Sequence, residues 1–273
     1  MFRYGRRNSV PDDQVQTMVI AGHQRSGTTL MVRLLNSHPD VFVTHEFYNF
    51  SAVGIPFNEH MREVRTAWRD RPIVKVPNRF KRMGDYANSA MFVHQYRRYL
   101  KSIARDAVDA DAMRTCLHRI APWARVVGDK VAGYVMKLDK LVQCPDTKLI
   151  VIYRDCRDVV RSSLEKAHSS WQGKELGDRL ATPENAAQSW VQAIETMQHH
   201  REHVYPLRYE QLVNEPRRTL EDLGALLDLD PDKFRMTMIR SDRVGKHKRG
   251  LSADQIDQVI QVAKPTMQQL GYL

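Results

Sequence analysis

Hydrophobic and polar positions along this chain fall into short blocks that switch between two periods. Thr17-Met18-Val19-Ile20-Ala21 is an apolar run closed by Gly22 and predicts a buried strand. Leu30, Leu34 and Leu35 follow at helical spacing, and His38-Pro39-Asp40 stops that helix and turns the chain into a second strand, Val41-Phe42-Val43-Thr44. Ile73 to Val76, bracketed by Pro72 and Pro77, predicts a third. From Ala87 to Val108, the residues Met91, Val93, Tyr96, Leu100, Ile103 and Ala107 make the stripe of a long helix. Val126-Val127 leads into Gly128-Asp129-Lys130. Lys148 to Tyr153 is the clearest buried strand, and a helix with Val159, Val160 and Leu164 follows at once. A last strand runs from Val204 to Tyr209, after a helix that carries His199, His200 and His203. This alternation predicts an α/β fold, a parallel sheet covered by helices on both faces, with ligands at the C-terminal ends of the strands.

Composition narrows the classes. The 273 residues are 42% hydrophobic and 27% charged, ordinary globular values that exclude a disordered or fibrous chain. With neither repeat nor low-complexity linker, one domain over 17–273 is expected behind a basic, mobile arm of residues 1–16. The longest apolar runs fall far short of the ~20 residues of a membrane span, and the N-terminus does not read as a secretory signal. Cys116, Cys144 and Cys156 lack metal-ligand spacing and fit reduced thiols in a cytoplasm. Lys+Arg exceed Asp+Glu by 42 to 32, a formal +10, which favours anionic ligands without choosing among them.

The first strand runs into Gly22-His23-Gln24-Arg25-Ser26-Gly27-Thr28-Thr29, which has the length of a phosphate-binding loop. A glycine turn at a helix start gathers backbone N–H groups, and the helix dipole favours an anion. Ser26, Thr28 and Thr29 add hydroxyl donors and Arg25 a charged fork. The nucleotide-triphosphatase pattern needs Lys after the second glycine; here Thr28 stands there, and the cation comes earlier, at Arg25.

Gln24 to Leu30 with Leu34-Leu35-Asn36-Ser37-His38-Pro39 resembles the opening of the PAPS-dependent sulfotransferases. Three further segments in the same order are similar to that family: Tyr153 to Ser162, Leu207 to Leu212 with Pro216, and Lys248-Arg249-Gly250-Leu251-Ser252. The chain departs from the family at Cys156, where Pro is common, and at Val131-Ala132, where Thr-Pro is common. The resemblance implies a three-layer α/β/α, P-loop-like sulfotransferase fold and an enzyme that uses PAPS and no metal. It implies that Arg25, Ser26, Gly27, Thr28 and Thr29 hold the 5′-phosphosulfate. Arg154 and Ser162 would bracket the 3′-phosphate, Lys248, Arg249 and Gly250 would close over it, and Tyr209 would lie near the adenine.

Sulfonyl transfer needs a base for the acceptor proton and cations for developing charge. The resemblance makes Glu46, just after the second strand, the preferred base and His45 its competitor. Since neighbours on an extended segment point opposite ways, one of the two is expected to face the cofactor. Arg25 and Lys130 are the expected charge stabilisers. His199 and His203, at i and i+4, lack a third ligand for zinc, and no metal is assigned. The expected acceptor is a small molecule or carbohydrate, taken up by a helical region over about 47–125. That region mixes Phe47, Tyr48, Phe50, Phe57, Trp68, Phe80 and Tyr86 with the basic Arg79, Lys81 and Arg82. The loop from Ala167 to Ala181, with Trp171, is a candidate lid. Two other classes compete: a P-loop small-molecule kinase, against which the missing lysine speaks, and a basic polyanion- or RNA-binding module, for which no nucleic-acid motif is found.

Overall fold

The structure is a computed structural model that describes residues 9–70, 85–104 and 106–273. Among the described residues, five strands form one parallel sheet: β1 (Gln16–Ala21), β2 (Val41–His45), β3 (Val126–Lys130), β4 (Thr147–Tyr153) and β5 (Val204–Arg208), in the order β2-β3-β1-β4-β5. All five point the same way, so every C-terminal strand end lies on one edge. The chain moves outward from β1 to β2, then returns and crosses to β4, so the connections leave in opposite directions from the centre. That reversal opens a crevice beyond the strand ends.

One face is covered by α1 (Thr28–Leu35), α9 (Tyr209–Asn214) and α10 (Pro216–Leu227). There Met31, Leu34 and Leu35 meet Leu220, Leu223 and Leu227, all fully buried, over Met18, Ile20, Ile150 and Ile152. Each such side chain contributes about 1.5–3 kcal/mol of burial. The other face carries α3 (Asp85–Ile103), α4 (Ala110–Ile120), α6 (Cys156–Ala167), α8 (Pro183–His199) and α12 (Ala253–Gln269), around Trp190, Tyr96, Tyr134 and Phe92. The α/β class and the two-faced covering are as the alternating pattern predicts. All three cysteines are free and buried.

Local signals set the boundaries that aim the site. Asn36 donates to Val43 O at 2.8 Å and accepts from Val43 N at 2.9 Å, locking α1 onto β2. Asp155 caps α6 through Arg157 N, and Ser252 closes a capping box on α12.

Some elements differ from expectation. The long helix begins at Asp85 and ends at Ile103, not at Val108, because Val108 N bonds Ile55 O and Ala107 bridges Pro56. The helix with three histidines ends at His199; His203 lies in a following 3-10 turn, so the i, i+4 pairing with His199 is lost. The fifth strand stops at Arg208, and Tyr209 starts α9. From Val10 onward the basic arm is tied down. Val10 N bonds Pro122 O, Asp12 accepts from His118 and Arg114, and Val15 is buried. The expected strand at Ile73 to Val76 and the basic run Arg79, Lys81, Arg82 lie outside the described residues.

Candidate anion-binding and catalytic site

The edge formed by the five strand ends gathers the predicted residues. The loop after β1 is strained to shape: Gly22 has φ +146° and Gly27 φ +106°, conformations that suit glycine, while Arg25 sits at φ +69°. Neither glycine has room for a side chain. A Cβ on Gly22 would stand 2.2 Å from Ile152 O, and one on Gly27 2.4 Å from the Tyr209 ring. His23 is buried, donates through Nδ1 to Gln24 O at 2.8 Å and accepts at Nε2 from Ser189 of α8 at 3.1 Å. Burial lowers its pKa to about 4, so the ring is a neutral brace. The Ser26 hydroxyl is fully buried and has no protein partner.

Arg25 reaches across the crevice. Its Nε–H donates to Ser162 Oγ on α6 at 2.9 Å, and its guanidinium stands 6.0 Å from the Trp171 ring, in the expected lid segment. That segment contains a short helix, α7 (Glu175–Arg179). Burial pushes the Arg25 pKa below its usual value; Glu165 offsets this, and the charges of Arg154, Arg161 and Arg243 add to it. Mutual repulsion among cations at one spot is relieved by an anion, so the arrangement favours one there.

Arg154, just after β4, is 8% exposed and lies over the Tyr209 ring at 4.6 Å. It donates to Asp158 at 2.8 Å and to Arg243 O, while its Nε is buried with no protein partner. Asp158 also accepts from Gly245 N at 2.8 Å, from His247 N at 2.8 Å and from His247 Nδ1 at 2.9 Å. These donors and Arg154 hold its carboxyl well below the usual range, against the opposing effect of burial. They also tie the segment before α11 (His247–Gly250), which bears Lys248 and Arg249, to α6. Gly250 abuts Arg161, where a Cβ would come within 2.7 Å of its Nε. Tyr209 is buried between Gly27 and Arg154, packed against both the loop after β1 and the arginine after β4.

A second group lies at the ends of β2 and β3. Lys130 is 1% exposed and donates to Glu46 Oε1 at 2.9 Å, while Glu46 N donates back to Lys130 O at 2.7 Å. His45 Nε2 stands 3.5 Å from the same carboxylate oxygen. The expected opposition of His45 and Glu46 therefore fails. Glu46 is at φ +59°, in the left-handed region, and this breaks the extended alternation so that the two side chains converge. His45 and Lys130 hold the Glu46 carboxyl far below its ordinary value of 4.5, against a smaller opposing effect of burial. The turn is fixed from beneath by Asp129, which is fully buried. It accepts from Thr44 Oγ1 at 2.7 Å, Tyr134 OH at 2.8 Å and Tyr48 N at 2.9 Å.

Sequence reasoning missed His23, Asp129, Tyr134, Asp158 and His247. Asp158 carried a signal, since a carboxylate one helical turn after Arg154 is the spacing of an ion pair. Away from this edge, Asp139, His199 and His200 bring potential ligand atoms within 4.8 Å of one another, so His199 gains neighbours other than His203. His200 Nε2 and Asp139 Oδ1 are 2.9 Å apart.

Comparison with known proteins places the chain. The model of the sulfotransferase family matches residues 18–233. No curated protein matches significantly by sequence. The fold is similar to the sulfotransferase domain of the Synechococcus PCC 7002 olefin synthase, with 17% identity, 96% of each chain covered and a TM-score of 0.56. It is similar to the sulfotransferase domain from the curacin biosynthetic pathway, at 19% identity over 90% of this chain and 84% of that one, TM-score 0.54. Mouse sulfotransferase SULT7A1 complexed with PAP aligns at 12% identity over 95% and 86%, TM-score 0.51.

Proposed function

This chain belongs to the sulfotransferase family, and from that premise we propose that it moves the sulfonyl group of PAPS to a hydroxyl or amine of a small-molecule or carbohydrate acceptor. The observation that carries the donor assignment is the contact between two anion-binding elements 137 residues apart, Arg25 Nε to Ser162 Oγ at 2.9 Å. One nucleotide with phosphates at both 5′ and 3′ positions suits such a pair. The protein groups fit it independently: a buried Ser26 hydroxyl and a buried Arg154 Nε, neither with a protein partner, and a focus of four arginines. The neighbouring mouse enzyme is described in complex with PAP.

Bound there, PAPS supplies an activated sulfonyl group, whose bond to the 5′-phosphate oxygen breaks as the acceptor oxygen or nitrogen attaches. The protein's part is positioning and charge. Arg25 and the loop of residues 22–29 hold the 5′ end; Arg154 and Ser162 hold the 3′ end, with Lys248 and Arg249 near it. Tyr209 keeps the two elements in register from below. Glu46, whose side chain is 41% exposed, takes the acceptor proton at a carboxylate oxygen. While Lys130 is bonded to it, that carboxylate is ionised but weakly basic. Its proton affinity rises when the lysine turns toward oxygen charge developing on the donor side, so Lys130 links the two ends of the transfer. His45, on the same oxygen, orients the carboxylate.

The test is thermal stabilisation by adenosine 3′,5′-bisphosphate compared with ATP–magnesium, because a ligand that binds only the native state raises its stability. The bisphosphate is expected to raise the Tm and ATP–magnesium to do little. Stabilisation by ATP–magnesium alone would return the chain to the kinase class.

A further inference from the structure

Outside the strand-end site, a concentration of positive charge among the described residues lies between α2 (Phe57–Asp70) and α3, in a groove of about 500 Å³. On α3 the wall is His94, Arg97, Arg98 and Lys101, the i, i+3, i+4, i+7 positions of one helix face. That row is about 10 Å long at 1.5 Å per residue. Arg62 and Arg65 of α2 stand on the other wall, and Phe57, Asn58 and Met61 complete the lining. The groove is lined by no acidic side chain among the described residues. None of its five formal cations makes an ion pair with a described residue. Cations left unneutralised on facing walls repel one another, and this is relieved when an anion enters.

Its position ties it to the reaction edge. The inner face of α3 packs on the residue after Glu46: Phe47 meets Phe92 at 5.0 Å and Tyr96 at 4.8 Å between ring centroids. The outer face of the same helix carries Arg97 and Arg98, so α3 is the wall shared by the groove and the segment that follows Glu46. A groove of this volume has the scale of a small ligand, whereas an acidic protein partner needs a contact above about 1,000 Å². Phe57, half-buried against the core, gives the groove an apolar edge, and the exposed Asn58 offers an amide for hydroxyls.

We propose that the α2/α3 groove binds an oligosaccharide bearing carboxylate or sulfate groups and holds it as the acceptor chain for Glu46. The acceptor role rests on the sulfotransferase reading, but the binding can be measured apart from it. The probe is a short oligogalacturonate, with its methyl ester as a neutral twin that keeps the hydroxyls and loses the charge. Titrations are run on the full chain with adenosine 3′,5′-bisphosphate present at saturation. The acid is expected to bind with an affinity that falls as salt rises, and the ester to bind at least roughly tenfold more weakly. Arg97→Glu/Arg98→Glu and Arg62→Glu/Arg65→Glu should each cost roughly tenfold or more, while Arg33→Glu/Arg218→Glu, an equal charge change elsewhere, should not. With PAPS as donor, the groove variants should raise the KM for the saccharide and leave that for PAPS in place.

Equal binding of acid and ester, or unchanged binding by both groove variants, would overturn the proposal. So would tighter binding of poly-L-glutamate than of the saccharide, which would make the partner an acidic protein. Competition between saccharide and bisphosphate would move the anion to the donor crevice, also against it. Failure of the bisphosphate itself to bind is a separate result and strikes the sulfotransferase reading instead.

Discussion

Arg25 Nε donates to Ser162 Oγ at 2.9 Å, joining the loop after the first strand to the helix after the fourth. The bond makes one electrostatic unit of two segments that are far apart in sequence, with Arg154 and its buried Nε beside it. Ser162→Ala should therefore weaken adenosine 3′,5′-bisphosphate by about ten- to hundredfold, the cost of a hydrogen bond to a charged group, with little loss of folding stability. Arg154→Ala should weaken it further and leave adenosine 5′-phosphate nearly untouched. Titration calorimetry with both nucleotides is the check, and equal losses for the two would remove Arg154 and Ser162 from the 3′ end.

The convergence of His45, Glu46 and Lys130 sets a kinetic expectation. Glu46→Gln should lower kcat by about 10²- to 10⁴-fold, the usual worth of a general base, while the bisphosphate still binds. Because the wild-type carboxyl is held below 4.5 by His45 and Lys130, the acid limb of its pH–rate profile should fall below the ordinary carboxylate range. Lys130→Met removes the ammonium charge beside the carboxylate and should move the limb upward toward 4.5, besides slowing turnover. Should His45→Ala abolish turnover while Glu46→Gln retains it, the base is the imidazole.

Gly27 and Tyr209 are matched to each other. A methyl at residue 27 meets the Tyr209 ring at 2.4 Å, on a backbone at φ +106° that alanine resists. Gly27→Ala should cost about 1–3 kcal/mol from backbone strain and more from the clash, and should weaken the bisphosphate. Gly27→Ala/Tyr209→Ala should recover the clash component and leave the backbone one. Denaturant unfolding of the three variants separates the two; no recovery in the double variant would show that the ring is not what fixes the loop.

The fold and the placement of much of the candidate site were legible because their signals are local. The β1 run, the spaced glycines and the buried β4 run are contiguous patterns, and each ends at a residue that now stands on the strand-end edge. What was hidden depends on backbone geometry or on distant contacts. Glu46 in the left-handed region carries no mark in the sequence, since its residue type neither requires nor forbids that conformation, and so the pairing of His45 with Glu46 read as opposition. Asp158 binds His247 across 89 residues and Asp129 binds Tyr48 across 81. Such contacts follow from the sheet order, which pattern alone does not supply. The strand boundary at Tyr209 was misplaced for a smaller reason: β5 ends one residue early and α9 begins there, which packs the ring against Gly27.

Two buried histidines make folding stability sensitive to mild acid. Burial holds His23 at about 4 and His60 at about 4, against an ordinary 6.5. A histidine whose folded pKa is depressed stays neutral in the native state, while the unfolded chain takes up the proton first. The unfolded state therefore binds more protons between about pH 6.5 and 4, and stability falls as pH drops through that window, by up to about 1.4 kcal/mol per pH unit for each group. Above 6.5 neither ring contributes to the slope. His23→Gln keeps polar atoms near Ser189 and Gln24 without a titrating ring, so it should lower stability at neutral pH yet flatten the acid slope by about one proton. Unfolding free energies measured at several pH values from 4 to 7.5 decide it, and an unchanged slope in His23→Gln would mean that the ring is already charged in the folded loop.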